Sequence, residues 1–188
     1  MRDVKNEILN FWFEDTKPQQ WFQVNTEFDY LVKSKFAGTY DLAVQGIFDD
    51  WREDPESMLA LILLMDQFPR NMFRGTSRSF ATDSVALEFS KQAIDKHFDT
   101  LLDPVKRLFL YMPLQHSETM RDQEISVLMY EKIRKDEPIS YKHALEHKEI
   151  ISKFGRFPHR NAILGRENTP DEKEYLETAN DYGVFTEN

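Results

Sequence analysis

Apolar residues recur at three- and four-residue spacing through most of this chain, and sustained two-residue alternation of the strand type is missing. Phe28, Leu31, Val32 and Phe36 make one such stripe, Leu61, Leu64, Met65 and Phe68 a second. Val105, Leu108, Phe109 and Met112 make a third, and Ile125, Leu128, Met129 and Ile133 a fourth. A period near 3.6 puts each set on one face of an α-helix, so the chain is expected to be all-α. Helix starts are marked chemically. Asp54-Pro55, Asp103-Pro104 and Thr169-Pro170 each set a capping oxygen before a proline at the first helical position, where the missing N–H costs little. Thr169-Pro170-Asp171-Glu172 also fits a capping box.

The pattern predicts helices near 3–13, 26–45, 55–68, 83–97, 104–112, 118–135, 139–153 and 170–179. That is a single-domain irregular bundle over 1–188, or a degenerate stack of about eight helices, since no consistent repeat or flexible linker divides the chain. The segment Met58–Met65 is apolar all round and is expected to be the most enclosed helix. With 15 Phe, 7 Tyr and 3 Trp, a real core is affordable.

Composition narrows function mostly by exclusion. A formal charge of −9 disfavours nucleic-acid binding. The absence of cysteine removes disulfides, thiolate metal sites and cysteine nucleophiles, and fits a cytoplasmic location. The N-terminus is charged where an export signal would be apolar, and no apolar run reaches the ~18 residues of a membrane span. No phosphate-binding loop, dinucleotide fingerprint or nucleophile elbow occurs, so no cofactor is called for.

Positive charge is local. Arg70, Arg74 and Arg78 face only Asp66 between 66 and 78, while Lys153, Arg156, Arg160 and Arg166 stand without an acid between 153 and 166. These stretches share a spelling, Phe68-Pro69-Arg70-Asn71 and Phe157-Pro158-His159-Arg160-Asn161. Each is expected to be a helix exit in which proline stops the helix and projects Arg and Asn from a rigid turn. Asp66 falls on the stripe of Leu59, Ile62 and Leu63, which places a carboxylate at a buried position near a helix C-terminus. It needs a cation, and Arg70, Arg156 and Arg160 are candidates. A structural ion pair and a catalytic carboxylate both fit it. Ser117 can cap the helix after it and Glu118 complements its dipole, whereas His116 has no such explanation and can act as acid, base or ligand, or as a hydrogen-bonded structural histidine. His143 and His147 have metal-ligand spacing, but the accompanying glutamate is misplaced at Glu146, and no metal site is expected.

Leu63 to Thr76, Phe80-Ala81-Thr82-Asp83, Tyr111-Met112-Pro113-Leu114, His116-Ser117-Glu118 and Phe154 to Asn161 together resemble the bacterial family called domain of unknown function 924. Asn10-Phe11-Trp12-Phe13, Leu164-Gly165-Arg166 and Thr169 to Glu172 extend the resemblance over nearly the whole chain, and Asn168 stands where a small residue is expected. His147 and His159 fall on positions of the family pattern. The resemblance implies a tetratricopeptide-like helical fold and no established activity.

The leading expectation is a site for a small anionic ligand, phosphate or carboxylate, held by Arg70, Arg74, Arg156 and Arg160 with Asn71 and Asn161. His116, His159 or Asp66 would move protons there. Guanidinium forks grip such groups bidentately. The alternative is an adaptor whose groove, lined by Trp12, Trp21 and Phe73, takes a peptide or protein partner. In a third reading the motifs only knit the fold together. The sequence leaves the oligomeric state open.

Overall fold

A computed structural model describes residues 4–179, and every described element is helical. Helix α1 (Val4–Asn10) runs on as a π-helical turn, Phe11–Asp15, and a short 3-10 turn at Pro18–Trp21 leads to α2 (Thr26–Val44). α3 (Pro55–Ile62), a second π-helical turn (Leu63–Gln67) and α4 (Phe68–Met72) form one continuous rod. Then come α5 (Asp83–Asp95), α6 (Pro104–His116), α7 (Met120–Lys132), α8 (Pro138–Phe154) and α9 (Pro170–Leu176). With α3 and α4 joined, the described residues make eight rods. The ends of the predicted helices 3–13 and 170–179, and of the domain 1–188, extend to or beyond the edge of the described residues.

The predicted caps form. Asp54 Oδ1 accepts from the Ser57 N–H at 2.9 Å, Asp103 Oδ1 from Lys106 N–H at 3.0 Å, and Thr169 and Glu172 complete their capping box. Ser117 does not cap α7. Its hydroxyl donates instead to Asp122 at 2.8 Å, and Thr119 occupies the N-cap position.

Proline ends neither of the helices expected to stop at 68 and 112. Pro69 lacks the N–H that the Met65 carbonyl would receive in a regular helix, and the Thr82 hydroxyl supplies the missing donor at 2.6 Å. The next carbonyl, that of Asp66, accepts from Arg70 Nη1 at 2.7 Å. With those acceptors satisfied, the rod runs on to Met72. Asp66 therefore lies within the rod rather than at its C-terminus, in a π-helical turn of the kind that often marks functional positions. Pro113 also sits inside α6, which extends to His116; the carbonyls on either side of Phe109, whose helical donor Pro113 lacks, are those of Leu108 and Leu110, and they accept from the Tyr130 and Ser90 hydroxyls. The exit at 157 is also different. Gly155, at a φ of 69°, caps α8 in the left-handed conformation that favours glycine, and Pro158 opens a 3-10 turn, Pro158–Arg160.

The rod is the centre of the molecule. Every residue from Ser57 to Pro69 is buried, with α1, α2, α5 and α6 packed around it. Trp12, Phe36 and Phe109 converge on this axis, with Phe68 4.7 Å from Phe36 and 5.4 Å from Trp12 between ring centres. Such pairs add about 0.5–1.5 kcal/mol each beyond burial, enough to fix where the helices meet. From α5 onward each helix packs on the next, α5 on α6, α6 on α7 and α7 on α8. This sequential packing leaves a hollow between the lower rod, the end of α6 and α8.

Candidate functional site

That hollow is a cavity of about 310 Å³. The rod contributes Gln67, Arg70 and Asn71, and the turn after it Arg74; α6 contributes Met112, Gln115 and His116; α8 contributes Ile139, His143 and His147. The 3-10 turn after α8 brings His159 and Arg160. Trp21 and Phe22 close one side. Their position comes from the Trp21 indole N–H, which donates to the Trp12 carbonyl at 2.9 Å, and from Trp21 packing 5.0 Å from Phe109.

The two Phe-Pro segments do adjoin. Asp83, in the first turn of α5, receives a bidentate pair from Arg70 at 2.9 and 3.1 Å and lies 3.6 Å from Arg160. Phe80 is stacked by both guanidinium groups, at 5.7 Å for Arg70 and 4.8 Å for Arg160. Beneath them Asp66 is fully buried. Its Oδ1 lies 2.8 Å from His116 Nδ1 and 3.5 Å from Arg70, and its Oδ2 accepts from Gln67 Nε2. Burial alone would raise the Asp66 carboxyl, but Arg70 and His116 outweigh it and hold the group below the usual carboxylate range. Burial, then the Arg70 charge, push the His116 imidazole down against the opposing pull of Asp66. An ionised Asp66 can only accept, so the proton of neutral His116 sits on Nδ1 and Nε2 is left as the basic nitrogen.

The arginines divide. Arg70 is committed to Asp66 and Asp83. Arg74 pairs with Asp29 at 2.6 and 2.9 Å, where Asn71 also donates at 2.7 Å. Arg156 grips Glu172 at 2.6 and 2.8 Å and does not line the cavity. Asn161 is likewise outside it, donating to Asn168 at 2.7 Å. Of the expected anion ligands, these two are therefore placed elsewhere. Arg166 and the Phe157 N–H both reach Glu118, which precedes α7 and ties the 157–166 stretch to it.

Arg160 is different. Only 7% exposed, it is held face-on by two rings, Phe80 at 4.8 Å and Phe157 at 4.5 Å. Among the described residues its hydrogen bond runs from Nη1 to the His116 carbonyl at 3.1 Å, and its buried Nε makes none. Burial pulls its pKa down to about 10, with Asp83 opposing and Arg70 reinforcing the fall. His159 beside it is pushed down to about 3, by burial first and by Arg160 next. His147 is lowered well below its ordinary value by burial, with nearby His116, Arg160, His159 and His143 reinforcing the fall.

In the sequence Phe80 and Asp83 stand only as part of the family resemblance, with no role at the site, because an acid in a first turn already has a helix-dipole explanation and an aromatic already has a core one. Asp29 and Phe22 reach the site from far away in sequence and carry no local signal, and Trp21 is expected only as part of an adaptor groove. His143 and His147 line the cavity without a metal-binding arrangement, and no group of three or more histidine or carboxylate side chains among the described residues could hold a metal ion. Of the aromatics expected along an adaptor groove, Trp12 and Phe73 are buried in the core and Trp21 lines the cavity. No helix of the described residues is long and apolar enough to cross a membrane.

A model of the bacterial proteins of unknown function DUF924 matches residues 8–180. Among solved structures, a protein of unknown function from Agrobacterium tumefaciens is similar, with 38% identity, a TM-score of 0.85, and alignment over 94% of this chain and 98% of that one. No curated protein matches the chain.

Proposed function

We propose, for a chain that belongs to the bacterial DUF924 family of proteins of unknown function, that the cavity binds a small anion on Arg160 and that the Asp66–His116 pair exchanges a proton with it. The observation that carries this reading is a buried guanidinium with unspent donors, set at a cavity wall beside a neutral imidazole whose tautomer is fixed by a buried carboxylate. A buried cation that is only partly compensated is costly, and an anionic ligand removes that cost by completing its hydrogen bonds.

The other arginines give the site rigidity rather than affinity. Arg70 neutralises Asp66 and Asp83, and so holds Asp66 ionised as the acceptor for His116. His116 Nε2 then serves as a general base toward a water or an acidic proton of the ligand, in the protonation state that base catalysis needs near neutral pH.

Thermal unfolding with acetate, dicarboxylates and inorganic phosphate tests the binding step. A ligand at a hundred times its Kd stabilises by about 2.7 kcal/mol. For a chain of this size that raises Tm by about 5–10 °C. The rise should vanish in Arg160→Gln. No stabilisation of the parent protein by any of these anions would overturn the proposal.

A further inference from the structure

The cavity is graded. Its inner wall holds Gln67, His159 and Arg160, all buried, while its rim carries large apolar side chains left in water, Phe22 at 63% exposure and Ile139 at 69%, beside the exposed polar Gln23 and His143. Trp21 lies between, half-buried. We infer that the ligand is an amphipathic monocarboxylate that enters head first, its carboxylate on Arg160 and its alkyl or aryl body against Trp21, Phe22 and Ile139. This rests on the anion-binding proposal and adds the chemical class.

Two observations limit the charge and the size. Arg70 and Arg74 are already engaged by Asp83, Asp66 and Asp29, so Arg160 offers charge for one carboxylate rather than two. A second carboxylate placed beside Phe22 and Ile139 would lose hydration to apolar surface without an arginine to replace it. The volume, about 310 Å³, is roughly twice the ~150 Å³ of a cavity that encloses one benzene ring. A head and a body of about eight to ten carbons fill it.

Binding of straight-chain carboxylates from acetate to dodecanoate, with phenylpropionate and succinate beside them, is measured calorimetrically on the full chain. Affinity should rise about fourfold per methylene, the gain for burying one CH₂, and level off at about eight to ten carbons. Succinate should bind more weakly than butyrate. In Ile139→Asp and Phe22→Ser, both at exposed positions, the ratio of octanoate to acetate affinity should fall at least tenfold. Arg160→Gln should abolish octanoate binding. A flat series, succinate binding more tightly than butyrate, or octanoate binding that survives Arg160→Gln overturns the amphipathic assignment. Acetate or phosphate binding that persists through such a failure leaves the anion site standing, whereas loss of all anion binding removes both.

Discussion

Acid should unfold this protein through His159, and the size of that effect follows from its burial. The side chain is 4% exposed, and burial together with Arg160 moves its pKa from 6.5 to about 3. The sign follows from proton uptake. Above pH 6.5 both folded and unfolded chains carry a neutral imidazole, so stability is at its full value. As the pH falls below 6.5 the unfolded chain takes up a proton that the folded chain refuses, and stability drops until about pH 3, where the loss is complete. At pH 5 this one group costs about 2 kcal/mol relative to pH 7.5, at 1.36 kcal/mol per unit of pKa difference. Against a total of about 5–15 kcal/mol the loss is readily measured. His159→Gln removes the titration while keeping a polar, neutral side chain. Urea unfolding followed by circular dichroism at pH 7.5 and 5.0 gives the drop for each protein, and contributions from His116 and His147 are common to both and cancel. The parent should lose about 2 kcal/mol more than the variant. Equal drops would show that His159 is not held neutral, and the electrostatic account of the inner cavity would fall with it.

Arg70→Met leaves the buried Asp66 carboxylate with His116 and Gln67 but no arginine, and should cost about 3–5 kcal/mol in the same unfolding measurement, whereas Arg160→Met leaves Asp83 with its bidentate partner and should stay within about 1 kcal/mol of the parent; the reverse order would mean that Arg160 is structural. Asp66→Asn removes the carboxylate that raises the His116 pKa, so a titration of the His116 ring protons by NMR should place that already lowered value lower still, and an unchanged value would dissolve the pair.

The fold class was written locally. Helical periodicity, the three capped Asp-Pro and Thr-Pro starts, and the all-apolar stretch from Met58 to Met65 need only neighbours in sequence to act, and all of them appear in the structure. Where a remote side chain supplies the deciding donor, sequence reasoning misleads. Pro69 reads as a helix stop, because nothing nearby shows that Thr82, brought over by α5, satisfies the orphaned Met65 carbonyl.

The same holds for the site. Sequence alone singled out Asp66, His116 and the two arginine-bearing segments, because a carboxylate on an apolar stripe and a histidine without a local role are anomalies visible in one dimension. It could not divide the arginines. Their spelling is alike, yet Arg70, Arg74 and Arg156 meet Asp83, Asp29 and Glu172, while Arg160 is pressed between Phe80 and Phe157 with one hydrogen bond, to the His116 carbonyl, and Asp83 only at 3.6 Å. Charge is a property of the residue, but compensation is a property of distance, and only the packed chain sets which acid stands within reach of which base.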